Sequence, residues 1–220
     1  LKFSLTEKKD TIKKPESFQN STGFFPYNKY EGIYMSKKDK NRVCPVELSG
    51  SLDTKFRRLF QNPVRILKPF ILPGMEVLDL GCGPGYFTTA IAELAGESGK
   101  VTAADLQEGM LDIVRKKIQG TELEKRIVLH RCEKNTINFS GTADFIFAFY
   151  VIHEIPDKER LFSELYNTLK PGGRLLIVEP PLHVSKSDFR KMIDIIVDTG
   201  FSLNGSPRLF PNKSVLFQRN

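Results

Sequence analysis

The chain has 220 residues, of which 40% are hydrophobic, 10% aromatic and 27% charged. That is the profile of one soluble globular domain; it excludes collagen-like, disulfide-scaffold and wholly disordered chains, and no apolar run approaches the ~18 residues of a membrane span. The formal net charge of +7 is unevenly placed: residues 1–68 hold 15 basic and 7 acidic side chains, and the remainder is nearly balanced.

A basic segment of this kind steers acidic ligands, nucleic acid or anionic surfaces, or simply forms a solvated face. Cys44, Cys82 and Cys132 are widely spaced, and none forms a CxxC pair. A disulfide framework and a metal site are therefore not expected, and a reducing, cytoplasmic setting is. No basic-then-apolar signal peptide is expected from these residues.

Residues 1–50 read as a basic, aromatic-bearing arm ahead of a domain over 51–220. Phe24, Phe25, Tyr27, Tyr30 and Tyr34 form an aromatic patch that needs a surface to pack on. It is either a clamp onto the domain or a lid over a ligand. Ser51 is placed to cap a helix carrying Phe56, Leu59 and Phe60. Asn62-Pro63 starts a second helix, with Val64, Ile66, Leu67 and Phe70 on its apolar side and Pro73-Gly74 at its end.

From Met75 onward, strand and helix patterns alternate. Glu76–Leu80 reads as a strand, Tyr86–Ala95 as a helix, Lys100–Ala104 as a strand, Gly109–Ile118 as a helix and Arg126–Arg131 as a strand. Asp144–Phe149 is nearly all apolar, as a central strand is. Asp157 opens a helix carrying Leu161, Phe162, Leu165 and Leu169, and Pro171-Gly172-Gly173 turns into the strand Arg174–Glu179. A helix through Asp198 follows, stopped by Gly200. Phe201–Phe210 and Ser214–Arg219 then close the chain as an antiparallel hairpin. This order predicts an α/β, doubly wound, mostly parallel sheet, whose ligands bind at the carboxyl ends of the strands.

The run Val77-Leu78-Asp79-Leu80-Gly81-Cys82-Gly83-Pro84-Gly85-Tyr86 is the most informative stretch. Gly81 and Gly83 permit a tight turn and close backbone approach to a ligand. Asp105, at the end of the second predicted strand, is placed to accept both hydroxyls of a ribose. A dinucleotide fingerprint, G-x-G-x-x-G/A, requires a small residue where Tyr86 stands. Asp79 adds negative charge beside the loop, which repels a pyrophosphate and attracts an ammonium or sulfonium.

With these residues, the chain resembles the class I S-adenosylmethionine-dependent methyltransferases, in particular the type 11-like small-molecule group. Four segments carry the resemblance: VLDLGCGPGYF at 77–87, VTAADLQEGML at 101–111, ADFIFAFYVIHEI at 143–155 and LKPGGRLLIVEP at 169–180. It implies a seven-stranded sheet of order 3-2-1-4-5-7-6 with strand 7 antiparallel, behind an N-terminal arm and helical cap. It implies S-adenosylmethionine as methyl donor, with S-adenosylhomocysteine as product. Asp79, Gly81, Cys82, Gly83 and Gly85 would then hold the methionine part, and Asp105 the ribose. Leu106 would lie against the adenine, Glu133 would receive its amino group, and Phe149 and Tyr150 would line the methyl-transfer face.

The acceptor half is less constrained. His153, Glu154, Glu179 and His183 follow the fourth and fifth strands. His153 is the candidate general base, or else a structural hydrogen-bonding residue at a helix start. Arg57 and Arg58 are placed to hold an acidic acceptor, or belong to a solvated face. The expected acceptor is a small molecule. RNA methylation and a non-catalytic cofactor-binding protein are the alternatives.

Overall fold

A computed structural model describes residues 61–220. The arm, its aromatic patch, the helix expected after Ser51, Cys44 and the Arg57-Arg58 pair lie outside the described residues.

Asn62 caps the first helix as its sequence predicts: its side chain accepts from the amide of Arg65, and Pro63 occupies the first turn of α1, Pro63–Leu67. The helix stops after five residues, shorter than the apolar pattern suggested. Ile66 and Leu67 are buried, Val64 is exposed, and Phe70 reaches the core from the following turn.

Seven strands follow: β1 Glu76–Leu80, β2 Lys100–Asp105, β3 Ile127–Arg131, β4 Ala143–Phe149, β5 Leu169–Glu179, β6 Phe201–Gly205 and β7 Lys213–Arg219. They form one sheet of order β3-β2-β1-β4-β5-β7-β6. The neighbours from β3 to β5 are parallel, and β7 runs antiparallel to both β5 and β6. This is the predicted order, including the reversed strand. The helices α2 Thr88–Ala95, α3 Glu108–Ile118, α4 Lys158–Thr168 and α5 Lys186–Asp198 pack around it.

Period-two alternation divides the core between the two faces of the sheet. Val77, Phe145, Phe147, Leu176 and Val178 join Ile91 of α2 and Val114 of α3 on one face. Leu78, Ile146, Leu175 and Ile177 join Phe162 of α4 and Met192 and Ile196 of α5 on the other. Both faces are covered, so the central strands read as continuous apolar runs.

The helix expected from Tyr86 starts at Thr88, and the boundaries of β5 and β6 also differ from expectation. Leu169 begins β5 instead of ending α4, and pairs with Ala143 across a register shift. Pro171-Gly172-Gly173 therefore lies within β5 and not ahead of it. β6 ends at Gly205, where positive φ and a second register shift break the ladder; the apolar residues to Phe210 form the hairpin connection.

Candidate active site

The switch point of this sheet lies between β1 and β4, where successive connections leave in opposite directions, and a crevice opens there above the carboxyl ends of the strands. The crevice is a cavity of about 850 Å³. Its floor is the loop after β1. Gly81 and Cys82 both donate their amides to the carbonyl of Ala104 in β2, at 2.8 and 3.0 Å. Lys117 Nζ, from α3, donates to the carbonyl of Pro84 at 2.7 Å. The loop is thus tied to the two neighbouring elements and not to itself alone.

Gly81 has φ +68°, and a Cβ there would lie 2.5 Å from a methyl of Val151. Gly83 also has positive φ, but has open space where a Cβ would stand. The loop therefore leaves room at Gly83 and none at Gly81. Gly85 is not on the cavity wall: its Cβ position faces Val114 at 3.0 Å. It lets α3 approach the loop.

Two buried carboxylates flank this loop. Asp79 is 2% exposed and accepts from the hydroxyl of Thr88 at 2.6 Å. Among the described residues no salt bridge reaches it. Burial pushes its carboxyl up to about 7; the Thr88 bond opposes this, and the negative charge of Asp105 adds to it. Asp105 accepts from Gly83 N–H through Oδ2 and from Gln107 N–H through Oδ1, each at 2.9 Å. Burial raises its carboxyl also, against those backbone bonds. Each carboxylate oxygen has a second lone pair, so Asp105 can hold the loop and still accept from a ligand.

The remaining predicted residues divide by exposure. Leu106 lies on the wall and is 36% exposed. Glu133 is exposed at the rim and accepts from Asn138 Nδ2 at 3.1 Å. Phe149 is buried with its ring stacked on Tyr150, centroids 4.1 Å apart. Tyr150 has φ +61°. Its hydroxyl accepts from Gln61 Nε2 at 3.0 Å and donates to Asn212 Oδ1. Cys82 and Cys132 are free, buried thiols on the same wall, and burial pushes Cys132 up to about 12.

His153 also lines the cavity. Its Nδ1 lies 2.6 Å from Glu179 Oε2, and its backbone N–H donates to Oε1 of the same carboxylate at 3.1 Å. Glu179, read from the sequence only as one of several acceptor-side candidates, is 1% exposed at the end of β5. The signal available was a carboxylate ending an otherwise apolar strand; its partner stands 26 residues earlier in the chain. No group of three His, Cys, Asp or Glu among the described residues is placed to hold a metal.

A methyltransferase domain family model matches residues 77–173. The chain is 30% identical over 109 residues to a demethylmenaquinone methyltransferase of Bacillus cereus, covering 50% of this chain and 46% of that protein. It is 35% identical over 107 residues to a ubiquinone/menaquinone biosynthesis C-methyltransferase, UbiE, of Cronobacter sakazakii, covering 48% and 43%. A SAM-dependent methyltransferase structure from Aquifex aeolicus superposes with a TM-score of 0.73 at 26% identity, covering 81% of this chain and all of that one. Together these likenesses support a class I S-adenosylmethionine-dependent methyltransferase. The chain spans somewhat less than half the length of the curated methyltransferases it matches.

The cavity of this methyltransferase domain fits its donor on chemistry the structure itself displays. A buried carboxylate with no cation paired to it among the described residues suits the donor's ammonium and sulfonium. A second carboxylate with spare lone pairs suits a diol, and the exposed apolar surface of Leu106 suits a purine.

Proposed function

We propose that the protein transfers a methyl group from S-adenosylmethionine to a small-molecule acceptor. The observation that carries this reading is Asp79, a carboxylate buried at the glycine loop with no cation among the described residues. In this reading Asp79, Gly81, Cys82 and Gly83 receive the methionine part, Asp105 the ribose, and Leu106 and Glu133 the adenine. The bound donor supplies an electrophilic methyl. The protein's share of the work is to position the acceptor and exclude water, through the Phe149–Tyr150 stack and the apolar wall beyond it.

Among the described residues the cavity wall carries six carboxylates, from Asp79, Asp105, Glu133, Glu154, Asp157 and Glu164, and one ammonium, from Lys134. That balance disfavours a polyanionic acceptor such as RNA. It also disfavours a pyrophosphate-bearing dinucleotide. The free thiols of Cys82 and Cys132 support a reducing, cytoplasmic setting. No helix of the described residues is long and apolar enough to cross a membrane.

Calorimetry with S-adenosylmethionine, S-adenosylhomocysteine and NAD tests the reading. The first two bind and NAD does not. Binding of NAD with neither adenosyl compound would overturn it.

A further inference from the structure

We infer that the mouth of the crevice carries a docking surface for an anionic lipid bilayer, and that Leu182 and Phe210 are the side chains that enter it. The surface lies outside the donor positions proposed above and stands whether or not the crevice transfers methyl groups.

Leu182 and Phe210 are each 93% exposed, whereas the next most exposed large apolar side chain among the described residues, Leu72, is 59% exposed. Single exposed apolar residues are ordinary on a protein surface, but these two share one place. Glu179, the last residue of β5, pairs with Lys213, the first of β7, so the segment after β5 and the segment before β7 leave the sheet at the same end. Lys213 Nζ donates to the carbonyl of Pro181 at 2.9 Å and ties the two segments together. Each apolar residue stands within a closed turn. The amide of Val184 donates to the carbonyl of Pro180 at 3.4 Å around Leu182, and the amide of Asn212 donates to the carbonyl of Leu209 at 2.9 Å around Phe210. Val184 is buried and Leu209 packs against the core, so inward-facing neighbours hold turns whose tips face out. Pro180 and His183 line the crevice, and Asn212 accepts from the Tyr150 hydroxyl, which places the tips at its mouth.

The charge around the tips selects the occupant. Residues 180–191 and 206–213 carry Lys186, Arg190, Lys191, Arg208 and Lys213 against a single acid, Asp188. Asp188 is engaged with Ser185 at the start of α5. Carboxylates predominate on the described crevice wall, so the sign of the charge reverses between wall and rim. An anionic headgroup layer meets the basic rim while the hydrocarbon beneath it receives the two tips. Pro181 precedes Leu182 and Pro211 follows Phe210. A proline beside each tip removes a backbone N–H that insertion would otherwise strip of water.

Other occupants match these features less well. A second copy would set the basic rim against itself. The N-terminal segment is basic too, with 15 basic and 7 acidic side chains in residues 1–68, and is repelled by the same rim. A protein partner needs a continuous face of roughly 800 Å², which two tips do not make. RNA offers the charge, but a leucine side chain has no ring on which a base can stack.

The chain contains no tryptophan, so Phe210→Trp puts a lone reporter at one tip. The full chain carrying it is mixed with vesicles of phosphatidylcholine, with and without phosphatidylglycerol. With phosphatidylglycerol present its emission moves to shorter wavelength and is quenched by brominated acyl chains, and high salt weakens the response. In sedimentation with the same vesicles, Leu182→Ser combined with Phe210→Ser lowers the partition coefficient at least ~10-fold, the scale of withdrawing large apolar side chains from hydrocarbon. Lys186→Glu combined with Arg208→Glu loses at least ~10-fold on the mixed vesicles and little on phosphatidylcholine alone. Unfolding temperatures stay at the native value, because the substituted side chains are exposed. Vesicle binding that survives the two serine substitutions, or that leaves the tryptophan emission unmoved, belongs to the N-terminal segment and overturns the inference. Absence of binding to either vesicle overturns it also. Emission already at short wavelength before lipid is added overturns it in favour of a protein occupant: the chain's own N-terminal segment if the shift is independent of concentration, a second copy if it grows with concentration. A shift on polyuridylate and not on vesicles assigns the tips to RNA and overturns it.

Discussion

The amide of Gly83 donates to Oδ2 of Asp105 at 2.9 Å, so the carboxylate proposed to hold the ribose also holds the glycine loop. One side chain thereby sets the distance between the two halves of the donor site. Replacing Asp105 removes the ligand's partner and releases the loop together. Asp105→Ala weakens S-adenosylmethionine binding by roughly 2–3 kcal/mol, the scale of charged hydrogen bonds to a buried ligand, as read by calorimetry. Asp105→Asn does little better, because its NH₂ must face one of the two backbone N–H donors now bound by the carboxylate. Recovery of most of the affinity by the Asn variant would refute the dual role.

Asp79 makes ligand-free stability and donor affinity move oppositely with pH. Its folded pKa, about 7, lies above the ordinary value of 3.8. Between those values the folded state binds more protons than the unfolded state, so this group's contribution to stability falls as pH rises through that window. Asp79→Asn removes the penalty and makes the ligand-free protein more stable at pH 8 by roughly 1–3 kcal/mol, with little gain at pH 4. Urea unfolding at the two pH values reads this. Donor binding needs the ionised carboxylate, so native affinity drops on acidification below about pH 7, and the Asn variant binds weakly throughout. Equal stabilisation at both pH values would contradict the assigned cause.

The two glycines of the loop separate fold from binding. Gly81→Ala places a methyl 2.5 Å from Val151 and strains a positive φ. It costs about 2–4 kcal/mol by overpacking and backbone strain combined, and lowers Tm. Gly83→Ala meets no atom within 4 Å, so it costs about 1–2 kcal/mol of backbone strain. Its larger effect is on donor affinity, because the added methyl occupies room the donor's approach requires. Thermal unfolding and calorimetry on both variants distinguish these outcomes.

Much of this arrangement is legible in the sequence, for reasons that can be named. β1 was readable residue for residue because Glu76–Leu80 is a short apolar run ended by glycines, and Asn62-Pro63 because capping chemistry is local. The strand order was available through the family resemblance, since nothing in the chain's periodicity fixes which strands are neighbours. Leu169 was misplaced because it continues the helical spacing of Leu161 and Leu165; its side chain meets a core that satisfies either pattern. Phe201–Phe210 looked like one strand because apolar residues persist past Gly205, where the backbone leaves the ladder. The packing demand at Gly85 is not legible, because a motif records where glycine occurs and not which neighbour demands it. The His153–Glu179 pair was hidden for the same reason that it is informative: the two residues come together only when β4 and β5 align.

Tyr150 offers a test of how the mouth of the site is held. Its hydroxyl joins Gln61 to Asn212, segments at opposite ends of the described chain, while its ring stacks on Phe149. Tyr150→Phe keeps the stack and removes the bridge. It destabilises the fold by about 1–2 kcal/mol, as two polar partners lose a part-buried bond, and a urea titration measures the loss. Tyr150→Ala also removes the stacked ring and costs more, by roughly 1–3 kcal/mol. If the two variants were equally stable, the ring would contribute nothing and the hydroxyl would account for the whole effect.

At the other end of the sheet, Lys170, Glu76 and Asp144 separate charge pairing from backbone satisfaction. Lys170 Nζ lies 2.9 Å from Glu76 Oε2 and 2.9 Å from Asp144 Oδ1, with all three side chains partly exposed. Both pairings raise the Lys170 pKa, but solvent screening keeps the energy small. Lys170→Met therefore costs under about 1 kcal/mol, and less in high salt. Asp144 does a second job: its Oδ2 accepts from the amide of Glu76 at 2.8 Å, at the first residue of β1. Asp144→Ala leaves that amide without its side-chain acceptor and costs about 1–3 kcal/mol, largely independent of salt. Unfolding at 0.05 and 1 M salt tests the contrast. A loss at Asp144 that vanished in salt as completely as that at Lys170 would show that charge alone joins the three.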